Sequence, residues 1–259
     1  MAGGPDTVSW AGLMPPILAG LLVVLLSAAV WARMLFRMQQ ADFWEFQIHA
    51  FEEADRLHPP EAGAILFTGS SSIRLWRTLE RDMAPLRALN RGFGGCHLAH
   101  VNHYIERVVL SYRPRAVVLY AGENDLGWLS RKTPETVLED FKRFVATVQE
   151  KLPDTRVYFL AIKRSSFRRG RWAAMNEANR LVRGFAGGRE GVAFIDTVGP
   201  MLDAKGDPHP EYLPWYRLHL TAKGYELWAS ILRPVLEADL APGRPAEATR
   251  GTGEPLKGS

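Results

Sequence analysis

Ser71, Gly95, Asn124 and His219 are residue types that together can carry acyl transfer. A serine hydroxyl can attack a carbonyl carbon and a histidine can take its proton. A backbone N–H and a side-chain amide can receive the negative charge that forms on the carbonyl oxygen. These residues lie in four short segments: Phe67-Thr-Gly-Ser-Ser-Ser-Ile-Arg-Leu-Trp76, Asn90-Arg-Gly-Phe-Gly-Gly95, Leu119-Tyr-Ala-Gly-Glu-Asn-Asp125 and Tyr216-Arg-Leu-His-Leu-Thr221. Each has an ordinary structural explanation when taken alone. Ser70, Ser71 and Ser72 suit a helix N-cap, Gly92, Gly94 and Gly95 suit turns, and Asn124 suits a turn after a strand. Their joint occurrence points to a site.

Elements must bring the four segments together. Residues 39–57 have the apolar spacing of an amphipathic helix, stopped by His58-Pro-Pro60. Short apolar runs then alternate with longer helical patterns. The runs at 64–67, 86–89, 116–120, 156–162 and 192–195 predict five strands. Helices are expected over 73–79, 98–110, 134–152, 171–185 and 221–236, with Thr221 capping the last. Continuous apolar strands separated by helices predict a parallel sheet covered on both faces. Functional loops of such sheets lie at the carboxyl ends of the strands. The four segments fall there, or in the loop before the last helix.

The chain has 259 residues, enough for one full core plus extensions, and its 47% hydrophobic and 23% charged content is that of a globular protein. The net charge of +4 is mild, and no nucleic-acid-binding motif accompanies it. The single cysteine, Cys96, excludes an internal disulfide and reads as a small buried residue. His97, His100 and His103 recur every third residue, but no carboxylate or thiolate at metal-site spacing completes a zinc set. No metal or other cofactor is expected. Lys163, Arg164, Arg168, Arg169 and Arg171 cluster after the fourth predicted strand. They read as a solvated loop, or more sharply as an attractor for an anionic substrate or lipid headgroup.

Residues 7–32 carry no charged side chain, and the stretch 17–30 is strongly apolar. About 20 such residues cross a bilayer core. Trp10 and Trp31 sit near the two ends, as interfacial anchors do. A transmembrane helix is therefore expected, with a signal peptide as the rival reading. Arg33 and Arg37 follow the span with no Lys or Arg before it, which favours a cytoplasmic domain. The expected organisation is an anchor over 1–38, an amphipathic linker over 39–61, the catalytic-type domain over 62–240 and a disordered tail over 241–259.

The four segments, in their order and spacing, resemble the SGNH (GDSL-type) hydrolase superfamily over about residues 62 to 237. The resemblance implies a flavodoxin-like three-layer α/β/α fold with a five-stranded parallel sheet. Gly69-Ser70-Ser71, followed five residues later by Trp76, matches the family's Gly-Asp-Ser block, with Ser70 in the aspartate's place. It implies that Ser71 is the nucleophile. The oxyanion donors implied are the backbone N–H groups of Ser71 and Gly95 and the Asn124 amide. His219, in Leu218-His219-Leu220-Thr221-x-x-Gly224-Tyr225, is implied as the general base.

One part departs. The family's aspartate, three residues before the histidine, is Tyr216 here. A phenol cannot supply the charge that stabilises an imidazolium. Three explanations compete: a Ser–His dyad with a backbone carbonyl as orienter, a carboxylate such as Asp203, Asp207 or Glu211 that reaches in from the preceding loop, or impaired catalysis. The expected activity is hydrolysis of a small-molecule, lipid or sugar ester. The alternatives are a membrane-tethered binding domain and an acyltransferase using the same residues.

Overall fold

A computed structural model of the chain describes residues 10–128, 130, 132–216 and 218–241, with side chains from residue 18 onward. The rest of the expected tail, 242–259, lies outside the described residues. The chain divides into two compact units, the first ending at Phe43 and the second starting at Trp44. The first unit is built on α1 (Trp10–Arg37). Its stretch Leu18–Arg37 has a mean hydropathy of 2.1 and none of it is buried. It is long and apolar enough to cross a membrane.

The second unit is an α/β domain around five strands: β1 (Ile65–Gly69), β2 (Ala88–Gly92), β3 (Ala116–Tyr120), β4 (Arg156–Leu160) and β5 (Val192–Ile195). Their order is β2-β1-β3-β4-β5 and every pairing is parallel. This is the order of a flavodoxin-like sheet, and its switch point lies between β1 and β3. The register pairs Gly69 with both Gly92 and Tyr120, so the ends of β1, β2 and β3 are level.

Side chains alternate between the two faces of the sheet. Ile65, Phe67, Val118, Tyr120, Tyr158 and Leu160 face a core completed by Trp76 and by Tyr225, Trp228 and Leu232 of α9 (Ala222–Asp239). On the other face, Phe159 meets Phe141 of α7 (Pro134–Lys151) with ring centroids 4.8 Å apart. There α7 packs with α8 (Trp172–Gly187) and α5 (Leu98–His103). The three-layer α/β/α architecture and the five parallel strands are as the sequence predicts.

Three helical expectations change. The amphipathic segment starts its α-helix at residue 45: α2 spans Glu45–Leu57 and a 3₁₀ turn covers Ala41–Trp44. Trp44 is buried, and its indole donates to Nδ1 of His100 at 3.1 Å. The pattern over 73–79 forms only α3 (Ser71–Arg74), followed by α4 (Leu79–Met83). The buried residues Ile73, Trp76 and Leu79 recur every third position, a period that short turns satisfy better than an α-helix. The expected helix 98–110 breaks after α5 into α6 (Ile105–Val108) and a 3₁₀ turn at Leu110–Tyr112. Val108, Val109 and Leu110 are all buried, and three consecutive residues cannot share one face of a straight helix.

Candidate active site

Ser71 opens α3 directly after β1. Gly69 has φ of 116°, and a Cβ there would lie 2.0 Å from the Tyr120 carbonyl oxygen. Only glycine permits this turn. The Ser70 N–H then donates to that same carbonyl at 2.9 Å, fixing the turn to β3. Ser71 is half-buried at the carboxyl edge of the sheet.

His219 comes from the loop before α9. Thr221 caps this helix, its Oγ1 accepting the Gly224 N–H at 3.1 Å. The cap fixes where the helix starts and so where the half-buried imidazole stands. His219 Nε2 lies 2.9 Å from Ser71 Oγ, across 148 residues of sequence. Burial holds the imidazole below the ordinary histidine pKa. The Lys163 charge pushes the same way, as do Arg74 and Arg168 more weakly, against Glu123.

Gly95 has φ of 80°, a left-handed conformation that glycine adopts freely. The Asn124 amide donates from Nδ2 to the Cys96 carbonyl at 3.1 Å, so the loops after β2 and β3 are joined at the site. Asp125 joins them again. Both its carboxylate oxygens accept the Leu98 N–H at 3.1 Å, and Lys132 bridges it to Asp140 with two contacts of 2.9 Å. Asp125 is fully buried, so this ion pair is a structural tie.

The arrangement has the composition of an acyl-transfer centre, and comparison with other proteins decides the family. The model of the GDSL-like lipase/acylhydrolase family matches residues 67–227, more than half of the chain. The chain belongs to this family.

Solved structures share the fold of this GDSL-family chain. A Streptococcus pneumonia protein, provisionally named a platelet activating factor, is 19% identical with a TM-score of 0.68; the match covers 82% of this chain and 98% of that one. A GDSL-like lipase from Bacteroides thetaiotaomicron is 15% identical with a TM-score of 0.63, covering 74% and 97%. A catalytic mutant of an acetylxylan esterase from Geobacillus stearothermophilus is 16% identical with a TM-score of 0.55, covering 66% and 93%. Among curated proteins, none matches the chain.

This GDSL-family site includes a cluster that sequence reading missed. Glu123 is 4% exposed, and its carboxylate is paired with the fully buried Lys163 ammonium. It also accepts the Tyr120 hydroxyl at 2.7 Å. Burial opposes ionisation of Glu123, but Lys163 and Arg168 outweigh it and hold the carboxyl below its usual range. The available signal was the position of Lys163, which directly continues the apolar run 156–162 that ends in the core.

The basic cluster is therefore not one solvated patch. Lys163 is enclosed, and Arg168 is 12% exposed at its side chain and bonded to the Glu123 carbonyl and to Asn124. Arg164 bonds Asn176 at 3.0 Å, Arg169 pairs with Asp207 at 2.8 Å, and Arg171 stacks over Trp128 at 4.9 Å from the ring centroid.

The candidate orienters of His219 are engaged elsewhere. Asp203 accepts the backbone N–H groups of Lys205 and Asp207 at 2.8 and 3.0 Å, Asp207 faces Arg169, and Glu211 pairs with Lys223 at 3.2 Å. Tyr216 is 60% exposed, its ring edge-on to Trp215 at 5.6 Å. Among the described residues, Ser71 is the hydrogen-bonding partner of the His219 side chain.

His97 and His100 stack at 5.0 Å and cap α5, while His103 lies edge-on to Tyr104 at 4.7 Å. No group of three or more metal-ligating side chains forms among the described residues. A cavity of about 580 Å³ lined by Asp55, Pro60, Tyr112 and Arg113 lies at the opposite edge of the sheet and includes none of the predicted site residues.

Proposed function

We propose that this GDSL-family protein is a membrane-anchored serine esterase acting on a small carboxylic ester. The observation that carries the reading is the 2.9 Å contact between Ser71 Oγ and His219 Nε2. With Nδ1 protonated, Nε2 is the acceptor and takes the Oγ proton as the oxygen attacks the ester carbon. The carbonyl π electrons move to oxygen, where the Ser71 and Gly95 N–H groups and the Asn124 amide receive them. Collapse breaks the bond to the alcohol, which leaves with the proton from His219. Water, deprotonated by the same imidazole, then releases the acid and restores Ser71.

Among the described residues no carboxylate hydrogen-bonds the His219 side chain, and in this reading it works with Ser71 as one half of a dyad. Its lowered pKa keeps it neutral, and hence a competent base, near neutral pH. Trp128, Phe167, Trp215 and Tyr216 are exposed on the loops that carry Asn124, Arg168 and His219. They offer an apolar rim for the acyl or alcohol group of the ester. In this reading α1 is the membrane anchor, and Arg33 and Arg37 after the span favour a cytoplasmic domain.

The test is labelling of the full-length protein by a fluorophosphonate probe. Wild type should label, and Ser71→Ala and His219→Ala should not. Equal labelling of Ser71→Ala would remove the assignment. Recovery in the carbonate-washed membrane fraction tests the anchor separately.

A further inference from the structure

An asparagine amide can donate to an oxyanion in only one of its two orientations, since a flip of the amide replaces N–H by a carbonyl oxygen. The surroundings of Asn124 sort its two ends. Nδ2 donates to the Cys96 carbonyl at 3.1 Å, and Oδ1 accepts from Arg168 Nη2 at 3.0 Å. A guanidinium has donors and no acceptor, so the second contact exists in one orientation alone. One Nδ2 proton is used on Cys96, and the other remains for a ligand.

Arg168 is itself fixed. Its Nη1 donates to the Glu123 carbonyl and lies 3.9 Å from the Glu123 carboxylate. That carboxylate is locked by Lys163 and Tyr120 in the core. The guanidinium thus forks across two consecutive residues, one a buried anchor and the other the candidate oxyanion donor. Lysine could supply the charge but not the fork.

We propose that Arg168 is a positioning residue for the oxyanion hole, holding the Asn124 amide with its N–H toward the reacting carbonyl. This rests on the esterase reading above. The guanidinium also withdraws electron density through Oδ1, which strengthens the N–H as a donor to developing charge. Arg168 acts on the oxyanion hole through Asn124; its weaker effect on the His219 pKa is set aside by measuring on the plateau of the pH profile. Its effect falls on kcat, because the oxyanion exists only after attack has begun.

The experiment is a double-mutant cycle on the full-length protein with a p-nitrophenyl ester: wild type, Arg168→Ala, Asn124→Ala and the double variant. Loss of one oxyanion donor costs about 100- to 1000-fold in kcat, so Asn124→Ala should fall in that range. Arg168→Ala should lower kcat with KM unchanged, and the double variant should match Asn124→Ala alone. Multiplicative losses would overturn the proposal, as would a rise in KM at constant kcat. Arg168→Lys keeps the charge and the stem packing, so a folded Arg168→Lys that matches wild type would overturn the fork.

A second readout is independent of turnover. The side-chain NH₂ pair of Asn124, followed by ¹⁵N NMR, should be a single sharp set in wild type and broaden or double in Arg168→Lys. An unchanged Asn124 signal would overturn the proposal. If wild type turns over no faster than Ser71→Ala, the esterase reading fails, and the amide signal still decides whether Arg168 fixes Asn124.

Discussion

The hydroxyl of Tyr225 donates to the carbonyl of Ser72 at 2.9 Å. Tyr225 belongs to the first turns of α9 and Ser72 to the turn that carries Ser71. One hydrogen bond therefore joins the two segments whose neighbours, Ser71 and His219, lie 2.9 Å apart. The Tyr225 ring also stacks on Trp76 at 5.3 Å, so packing and hydrogen bonding agree on one position. Burial pushes the phenol well above its ordinary pKa, and it stays a donor at every working pH.

Tyr225→Phe leaves the ring stack and deletes the hydroxyl. It should destabilise the protein by about 1 kcal/mol, the usual net value of a hydrogen bond. It should also lower kcat, because the Ser72 turn loses its tie to α9. Urea denaturation and ester hydrolysis measured on the same preparation check both parts.

In the proposed esterase reading, the pH dependence follows from His219. A general base must be unprotonated, so kcat/KM falls as pH drops through the imidazole pKa. Burial, with Lys163, Arg74 and Arg168 beside it, disfavours the imidazolium; Glu123 favours it and is outweighed. The acid limb should therefore lie below 6.5, the ordinary histidine value. Arg74→Gln removes one of the cations at an exposed position and should move the limb toward higher pH. A profile for Arg74→Gln that coincides with wild type, or moves to lower pH, would contradict this electrostatic account.

Tyr216→Asp restores a carboxylate where the family ordinarily has one. In a Ser–His–Asp triad the carboxylate is worth about 10⁴ in kcat, which sets the ceiling of the gain. An increase in fluorophosphonate labelling rate is expected, together with a rise in the pKa of the acid limb, since a carboxylate stabilises the imidazolium. A faster rate without the pKa change would point to a role other than pairing with His219.

Gly69→Ala meets the Tyr120 carbonyl at 2.0 Å and demands φ of 116° from a residue with a Cβ. The loss should exceed the range of about 0.5–3 kcal/mol that covers most substitutions. Thermal melting checks the magnitude, and soluble protein with an unchanged melting point would argue against the tight turn.

The sheet was legible because each strand is a short apolar run bounded by polar turns, and buried parallel strands have that pattern. Ser71 and His219 were legible only together, since each alone has a plainer use. The broken helices were not, because Val108, Val109 and Leu110 look helical locally and are split by the need to bury all three. Nor was the Glu123–Lys163 pair, made by two residues that follow the ends of β3 and β4 and lie 40 positions apart. The position of Lys163 at the end of the apolar run 156–162 is the one signal that it turns inward, and the basic residues after it do not mark where the chain turns outward at Arg169. What orients His219 was not legible either, since Asp203, Asp207 and Glu211 all find cationic or backbone partners of their own.

β1 lies inside the sheet, paired on both sides and buried at all five residues. The serine it delivers is attached to a segment that opens only when the whole sheet does. The histidine sits outside the five strands, in the loop before α9 that also carries the exposed Trp215 and Tyr216. The two halves of the site thus differ in what it takes to unmake them. Gentle heating should silence the protein by releasing the histidine loop while the sheet is still intact, and cooling should restore it.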